Sequence, residues 1–204
     1  MAPTLHPLRP APPAPPTMEA SADTGIDGVV RFAAAPHTDE RGFFCRTLDA
    51  DALRGAGIDP GAFVQDSVSR SRRGVVRGLH TRRGAGEAKL VRCSWGRVFD
   101  VVVDLRPWSP TFLSWRSFEL DGDAPASLYI PAGCAHGFQA LSEVADVCYR
   151  IDRPHDPAED AVVAYDDPGL AIPWPEPVTA VSARDRSAPS LARYLEGTAA
   201  GEGR

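Results

Sequence analysis

The chain has 204 residues, of which 43% are hydrophobic and 24% are charged, a composition typical of a globular protein with one well-buried domain. Its 22 basic residues are scattered among 27 acidic ones and the net charge is -5, so no basic face indicates a nucleic-acid partner. No apolar stretch approaches the ~20 residues that a membrane-spanning helix needs. The cysteines are widely spaced without a C-x-x-C pair, which predicts reduced thiols in a cytoplasmic protein: Cys45, Cys93, Cys134 and Cys148.

In chain order, residues 1–24 are proline-rich and predict a disordered leader, before short apolar, β-branched or aromatic runs set off by Gly, Pro, Asp and Ser. One segment, Asp49 to Gly57, predicts a short helix with Asp49 as its N-cap. Prolines between positions 154 and 189 predict an irregular surface wrap anchored by Trp174 and Tyr194, and residues 196–204 predict a loose tail. The apolar runs predict strands at 28–32, 43–46, 63–69, 74–80, 89–94, 97–105, 112–120, 127–131, 136–141 and 146–151. This pattern predicts an all-β domain over 25–195, built as an antiparallel sandwich or barrel.

Lys89 is the only lysine beside 21 arginines. Arginine and lysine are not interchangeable where a compact positive charge must sit close to one oxygen atom, although chance alone can also leave a single lysine. A dense run of six arginines lies nearby, from Arg70 to Arg83. It predicts either a solvated loop or a phosphate-binding patch.

Three histidines lie in the folded region away from its N-terminal edge, His80, His136 and His155, and they support a metal site only weakly. His80 has no neighbouring histidine in a His-x-His pair, and Glu87 is the only carboxylate close to it in sequence. The sequence therefore predicts a metal-free pocket that contains an imidazole, an ammonium group and arginines.

Ten motifs occur in an order that resembles the dTDP-4-dehydrorhamnose 3,5-epimerase family, over about residues 25 to 194. They include Arg77-Gly-Leu-His80, Lys89-Leu-Val-Arg92, Ile130-Pro-Ala-Gly133-Cys-Ala-His136 and Asp166-Asp167-Pro168. The resemblance implies a cupin-type double-stranded β-helix, or jelly roll, with a short helix and an irregular C-terminal wrap. It also implies an enzyme that inverts C3, C5 or both in a dTDP-linked 4-keto-6-deoxy sugar without a cofactor.

Inverting a carbon beside a ketone requires a base on one face, stabilisation of the enolate, and a proton donor on the other face. By resemblance, His80 is the base and Asp167 is the carboxylate that orients it. Lys89 stabilises the enolate, and Tyr149 is the proton donor. Alternatively, Tyr149 is a core tyrosine whose hydroxyl is hydrogen-bonded. Asp167 is alternatively an aspartate that forms a turn before Pro168.

The resemblance also implies the residues that surround the substrate. Arg41 and Arg77 contact the diphosphate, Phe44 and Gln65 lie near the nucleoside, and His136 lies beside the sugar. The N-terminal segment 28–46 crosses to a partner subunit, which predicts a homodimer with composite sites.

Several positions depart from the family pattern: Arg46, Ser67, Thr81-Arg82-Arg83, Pro154 and His155. These departures leave the nucleotide pose and the number of inverted carbons open. A ketoisomerase that moves the carbonyl between C3 and C4, and a sugar-nucleotide-binding protein without catalysis, are the alternatives.

Overall fold

A computed structural model describes residues 18–201, which form thirteen strands and three helices. The N-terminal part contains β1 (Glu19–Ser21), β2 (Val30–Ala33), β3 (His37–Asp39), β4 (Gly42–Phe44) and α1 (Ala50–Gly55). The central strands are β5 (Gln65–Arg72), β6 (Val76–Arg82), β7 (Lys89–Trp95), β8 (Arg97–Asp104), β9 (Trp115–Asp121), β10 (Ala126–Ile130), β11 (Cys134–Ala140), β12 (Val144–Ile151) and β13 (Asp160–Val162). The C-terminal part contains α2 (Ala183–Arg186) and α3 (Leu191–Gly201).

Two antiparallel sheets make the body of the molecule. One has six strands in the order β1-β2-β10-β7-β12-β5, and the other has five in the order β13-β6-β11-β8-β9. Strands β3 and β4 pair only with each other among the described residues. From β5 to β13 consecutive strands alternate between the sheets, except that β8 and β9 are neighbours in the five-stranded sheet, and the fold is the predicted all-β jelly roll.

Strand β8 shows why the central strands have apolar residues on both faces. Val98 and Val102 belong to the core between the two sheets, whereas Val101 and Val103 belong to a second core on the outer face of the five-stranded sheet. Successive side chains of a strand point to opposite faces, so a strand covered on both sides is apolar at nearly every position. Asp100 interrupts this run and is fully buried.

The second core is closed by the C-terminal wrap, as predicted. Trp174 and Tyr194 pack against it, and the indole nitrogen of Trp174 donates to the carbonyl oxygen of Tyr165 at 2.9 Å. This wrap also carries α2, which matters for the site described below.

Helix α1 covers the six-stranded sheet from outside. Asp49 is its N-cap and accepts hydrogen bonds from the backbone N–H groups of Asp51 and Ala52, at 3.0 and 3.1 Å. Leu53 packs against Phe32 and Leu90 in a third apolar cluster. The predicted helix and its cap are therefore present.

The structure differs from the prediction at both ends of the domain. Residues 19–21, placed by the sequence in a disordered leader, form β1 and pair with β2, and Met18 is buried beside α1. The tail predicted to be loose from 196 is helical as far as Gly201. The rest of the leader and residues 202–204 lie outside the described residues.

All four cysteines are unpaired, as predicted. Burial raises the pKa of Cys93 to about 11 and that of Cys134 to about 12, so both remain protonated thiols. Within residues 18–201, no helix combines the length and the apolar character needed to cross a lipid bilayer.

Candidate active site

Four predicted site residues lie between the two sheets. His80 on β6 is directly paired with His136 on β11. In the facing sheet Tyr149 is paired with Val91, and Lys89, two residues before Val91, lies on the same side of the sheet. The rings of His136 and Tyr149 are 6.3 Å apart and nearly perpendicular, at 74°. The structure therefore brings an imidazole pair from one sheet against a phenol and an ammonium group from the other.

A change of register in β6 turns Arg77 and His80 to the same side. His80 is paired with His136, and Arg77 is paired with Phe138. On β6 the two residues are three positions apart, whereas their partners on β11 are only two positions apart. In a regular strand, residues three apart point to opposite faces, and the extra residue of a β-bulge removes this difference. Arg77 consequently lies on the face of β6 that carries His80, where its Nε donates to Ser71 Oγ at 2.9 Å.

Glycine is required at the bulge. Gly78 has a φ of 134°, and a Cβ atom at this position would lie 2.5 Å from the Cα of Gly137 on the neighbouring strand. The Gly residue in the Arg77-Gly-Leu-His80 motif is thus a packing requirement that places the imidazole.

His80 is oriented by Asp185, which the sequence analysis did not identify. The Nε2 atom of His80 lies 2.8 Å from Asp185 Oδ1, and the other carboxylate oxygen accepts a bond from the backbone N–H of Gly78 at 3.2 Å. Burial raises the pKa of Asp185, but the hydrogen bonds from His80, Gly78 and Ser182 outweigh it and leave the pKa below its ordinary value. An ionised carboxylate can only accept, so Nε2 carries the proton and Nδ1 is the nitrogen that can take one.

The prediction that Asp167 orients His80 is corrected by these contacts. Asp167 is buried elsewhere, in the C-terminal wrap, where its Oδ1 accepts from the backbone N–H groups of Gly169 and Leu170, at 2.8 and 3.2 Å. Its Oδ2 accepts from the N–H of Leu191, the first residue of α3, at 2.8 Å. Asp167 therefore fixes a turn and a helix start, the alternative that the Asp-Pro sequence also predicts.

Asp100 is a second carboxylate that the sequence analysis did not single out. Its Oδ2 lies 2.8 Å from His136 Nε2, and both side chains are almost completely buried. Burial raises the pKa of Asp100, while His136 and the charge of Lys89 act in the opposite direction. The sequence signal for Asp100 was a carboxylate at a core-facing position of an otherwise apolar strand.

Tyr149 has the environment of a neutral phenol. Its hydroxyl lies 2.9 Å from Ser69 Oγ on the neighbouring strand, and its ring packs against the core between the sheets. Burial raises the pKa of Tyr149 well above its ordinary value, so the hydroxyl keeps its proton at neutral pH. Such a group can donate a proton but is a poor base.

Lys89 is buried at the start of β7 and makes an ion pair with Glu87, with 3.2 Å between Nζ and Oε1. The ammonium has three N–H donors, and its contact with Glu87 is an ion pair. A desolvated ammonium held in this way can stabilise negative charge that develops on a nearby oxygen.

The predicted substrate-binding residues divide into two groups. Gln65 lies on the same face as Tyr149, because Ser67 is the residue of β5 that is paired with Tyr149. By contrast, Arg41 and Phe44 lie on the exposed β3–β4 hairpin; the Arg41 side chain is 85% exposed and its ion pair is with Asp39 of the same hairpin. The described chain alone does not bring these two residues to the pocket.

The donor set does not form a metal site within residues 18–201, where no group of three or more His, Cys, Asp or Glu side chains is arranged to hold an ion. His155 is largely exposed and lies 3.9 Å from Asp160, away from the paired histidines. The protein groups of the pocket are instead arranged for proton transfer.

A jelly roll that encloses a carboxylate-oriented imidazole, a neutral phenol and an ammonium group belongs to the class of cupin-fold isomerases that work by proton transfer. The comparison with family models gives the particular family. Residues 23–193 match the model of dTDP-4-dehydrorhamnose 3,5-epimerase, and the chain belongs to this family.

Relatives agree in sequence and structure. The dTDP-4-dehydrorhamnose 3,5-epimerase of Pseudomonas aeruginosa is 40% identical over 168 residues, which is 82% of this chain and 93% of the relative. The dTDP-4-dehydrorhamnose 3-epimerase of Streptomyces niveus is 41% identical over 169 residues and covers 82% of each chain. The crystal structure of NovW, a 4-keto-6-deoxy sugar epimerase from the novobiocin biosynthetic gene cluster of Streptomyces spheroides, superposes with a TM-score of 0.84 at 37% identity and covers 93% of this chain and 95% of NovW.

Proposed function

We propose that this enzyme epimerises a dTDP-4-keto-6-deoxyhexose at one or both carbons beside the ketone, in deoxysugar biosynthesis. The observation that carries the proposal is the placement of His80 and Tyr149 on opposite sheets, with Lys89 beside them. A base on one side of a sugar ring and an acid on the other are what inversion requires, and binding alone would need neither.

In the proposed reaction, Nδ1 of His80 removes the proton from the carbon next to the ketone. The electrons of the broken C–H bond move onto the ketone oxygen, and the enolate is stabilised by the ammonium of Lys89. The hydroxyl of Tyr149 then returns a proton to the opposite face of the carbon. Both side chains regain their starting protonation by exchange with solvent.

Asp185 supports the first step. When His80 takes up a proton it becomes a cation, and the carboxylate 2.8 Å away favours that charged form. The imidazole is 38% exposed, so a substrate can reach it from solvent.

The test is solvent exchange. We expect dTDP-4-keto-6-deoxyglucose in deuterated water to lose the C3 proton signal, the C5 proton signal or both when the protein is added, and to do so equally well after treatment with a chelator. His80→Ala should abolish exchange while dTDP still binds. No exchange with the unaltered protein would favour sugar-nucleotide binding without catalysis, and appearance of a 3-keto product would favour the ketoisomerase.

We further propose a homodimer in which the β3–β4 hairpin completes the partner's site. Its support is that Arg41 and Phe44 are exposed on a hairpin that pairs with no other strand of the described chain. Strand β2 is paired with β1 and β10 of its own sheet, so within 28–46 we propose that the hairpin is the part that reaches the partner.

Mixing two inactive variants tests this arrangement. If Arg41 serves the partner's His80, Arg41→Ala and His80→Ala proteins that are unfolded and refolded together should regain about a quarter of the normal sites, because half of the dimers are mixed and each has one intact site. If each chain supplies both residues to its own site, no activity returns.

The unpaired thiols also suit a reducing compartment, and we place the enzyme in the cytoplasm.

A further inference from the structure

A buried group of three charges adjoins the pocket beside Lys89. The two oxygens of Glu87 are shared: Oε1 lies 3.2 Å from Lys89 Nζ and Oε2 lies 3.1 Å from Arg82 Nη1. The side chains of Arg82, Lys89 and Glu87 are only 1%, 9% and 15% exposed. Charges so deeply buried are stable only when each has a partner.

The backbone around Glu87 holds this arrangement in place. Ala88 donates its N–H to Asp152 Oδ1 at 2.8 Å, and its carbonyl oxygen accepts the N–H of Asp152 at 3.2 Å. Residues two apart in an extended segment point to the same side, so the side chains of Glu87 and Lys89 lie next to each other on either side of Ala88 in the chain.

Arg82 is fixed from the opposite sheet. It lies two residues after His80 on β6, and its Nη1 also donates to the carbonyl oxygen of Pro154 at 2.9 Å. Its Nε and Nη2 atoms are buried and make no hydrogen bond with the described residues. Glu87 is therefore the carboxylate closest to the Arg82 guanidinium, two of whose nitrogens have no hydrogen-bond partner among the described residues.

We propose that Glu87 is a positioning residue for Lys89, and that Arg82 holds Glu87 in place. This inference rests on the proposed function, because it assigns Glu87 the task of directing the ammonium that stabilises the enolate. The ion pair between Arg82 and one oxygen of Glu87 prevents the carboxylate from turning both oxygens to Lys89, so ammonium donors stay available for the ketone oxygen.

Glu87→Gln tests the proposal. It removes the charge that holds Lys89 while keeping the shape of the side chain. We expect kcat for solvent exchange on dTDP-4-keto-6-deoxyglucose to fall about tenfold, the size of coupling found within one buried charge network. KM and the affinity for dTDP should change little, because Glu87 acts on the reacting oxygen and not on the nucleotide.

Glu159→Gln is the matched control. Glu159 Oε2 approaches Arg82 Nε at 3.5 Å but Glu159 is 37% exposed and makes no ion pair with Lys89 among the described residues. Its loss should leave kcat unchanged. Since Glu87→Gln leaves Arg82 without its closest carboxylate, the double variant Arg82→Gln/Glu87→Gln provides a folded alternative with two neutral amides, and it should show the same loss of kcat.

The outcomes separate this inference from the proposed function. No exchange by the unaltered protein would overturn the function and the inference together. Exchange by the unaltered protein with normal kcat in a folded Glu87→Gln or double variant would overturn the inference alone. Equal losses of kcat and dTDP affinity would also overturn it, because they would show a structural role for Glu87.

Discussion

Replacing Asp185 with asparagine removes the charge beside His80 and leaves a side chain of the same shape. In the folded protein this carboxylate is 2.8 Å from the imidazole and 3.2 Å from the backbone nitrogen of Gly78. A hydrogen bond to a charged group contributes about 1.5–3 kcal/mol, and this is the stabilisation that the protonated imidazole would lose in the transition state. We therefore expect kcat for solvent exchange to fall about 10- to 100-fold.

Asp167→Asn is the matched comparison. Its carboxylate accepts only from backbone N–H groups in the C-terminal wrap. We expect its replacement to lower the free energy of unfolding by about 1–3 kcal/mol and to leave exchange by the folded protein normal.

The assay pairs exchange kinetics in deuterated water with dTDP binding and thermal unfolding for both variants. The reasoning would be refuted if folded Asp185→Asn exchanged at the normal rate while folded Asp167→Asn did not. That result would return the orienting role to Asp167.

Four further results are expected. Tyr149→Phe should still lose the substrate proton but yield much less inverted product; an unchanged ratio of stereoisomers by NMR would remove Tyr149 from the mechanism. Lys89→Arg should lower kcat by at least about tenfold despite keeping the charge, because a planar guanidinium cannot occupy the place of a compact ammonium. Gly78→Ala should lose about 3 kcal/mol or more in denaturant unfolding, since its Cβ would overlap the neighbouring strand; a stable variant would contradict the described bulge. Burial raises the pKa of Asp104, but hydrogen bonds from Arg106, Ser109 and Thr111 outweigh it and lower the pKa to about 2. The ionised carboxylate therefore stabilises the fold above pH 4. This contribution of about 2 kcal/mol is lost as the pH falls from about 4 to 2. Asp104→Asn should accordingly be less stable than the unaltered protein at pH 7 and differ little from it at pH 2.

Most strands were predictable because they combine apolar β-branched or aromatic residues with a bounding turn. The runs around Lys89 and Val101 are covered on both faces, the first by the core between the sheets and the cluster under α1, and this produces a strong continuous apolar signal. Strands β1, β3 and β13 were missed because each has three residues, too few for an alternating pattern to be visible, and each lacks the adjacent phenylalanines that marked the equally short β4.

The site was harder to predict where it depends on distant pairs. His80 and Asp185 are 105 residues apart, and nothing close to either one indicates the other. Asp167 has strong local features, an adjacent proline and a second aspartate, and these attracted the assignment. The separation of Arg41 and Phe44 from the pocket is also invisible in sequence, because an exposed hairpin and a buried one carry the same turn residues.

The origin of Asp185 in the C-terminal wrap has a consequence for biosynthesis. Every strand of the two sheets is complete by residue 162, yet the carboxylate that holds both Gly78 and His80 follows more than twenty residues later. A nascent or proteolytically shortened chain that ends before α2 would contain all the strands and lack this contact. The contact that orients His80 can therefore form only after the segment that carries α2 has been synthesised and has docked on the sheets.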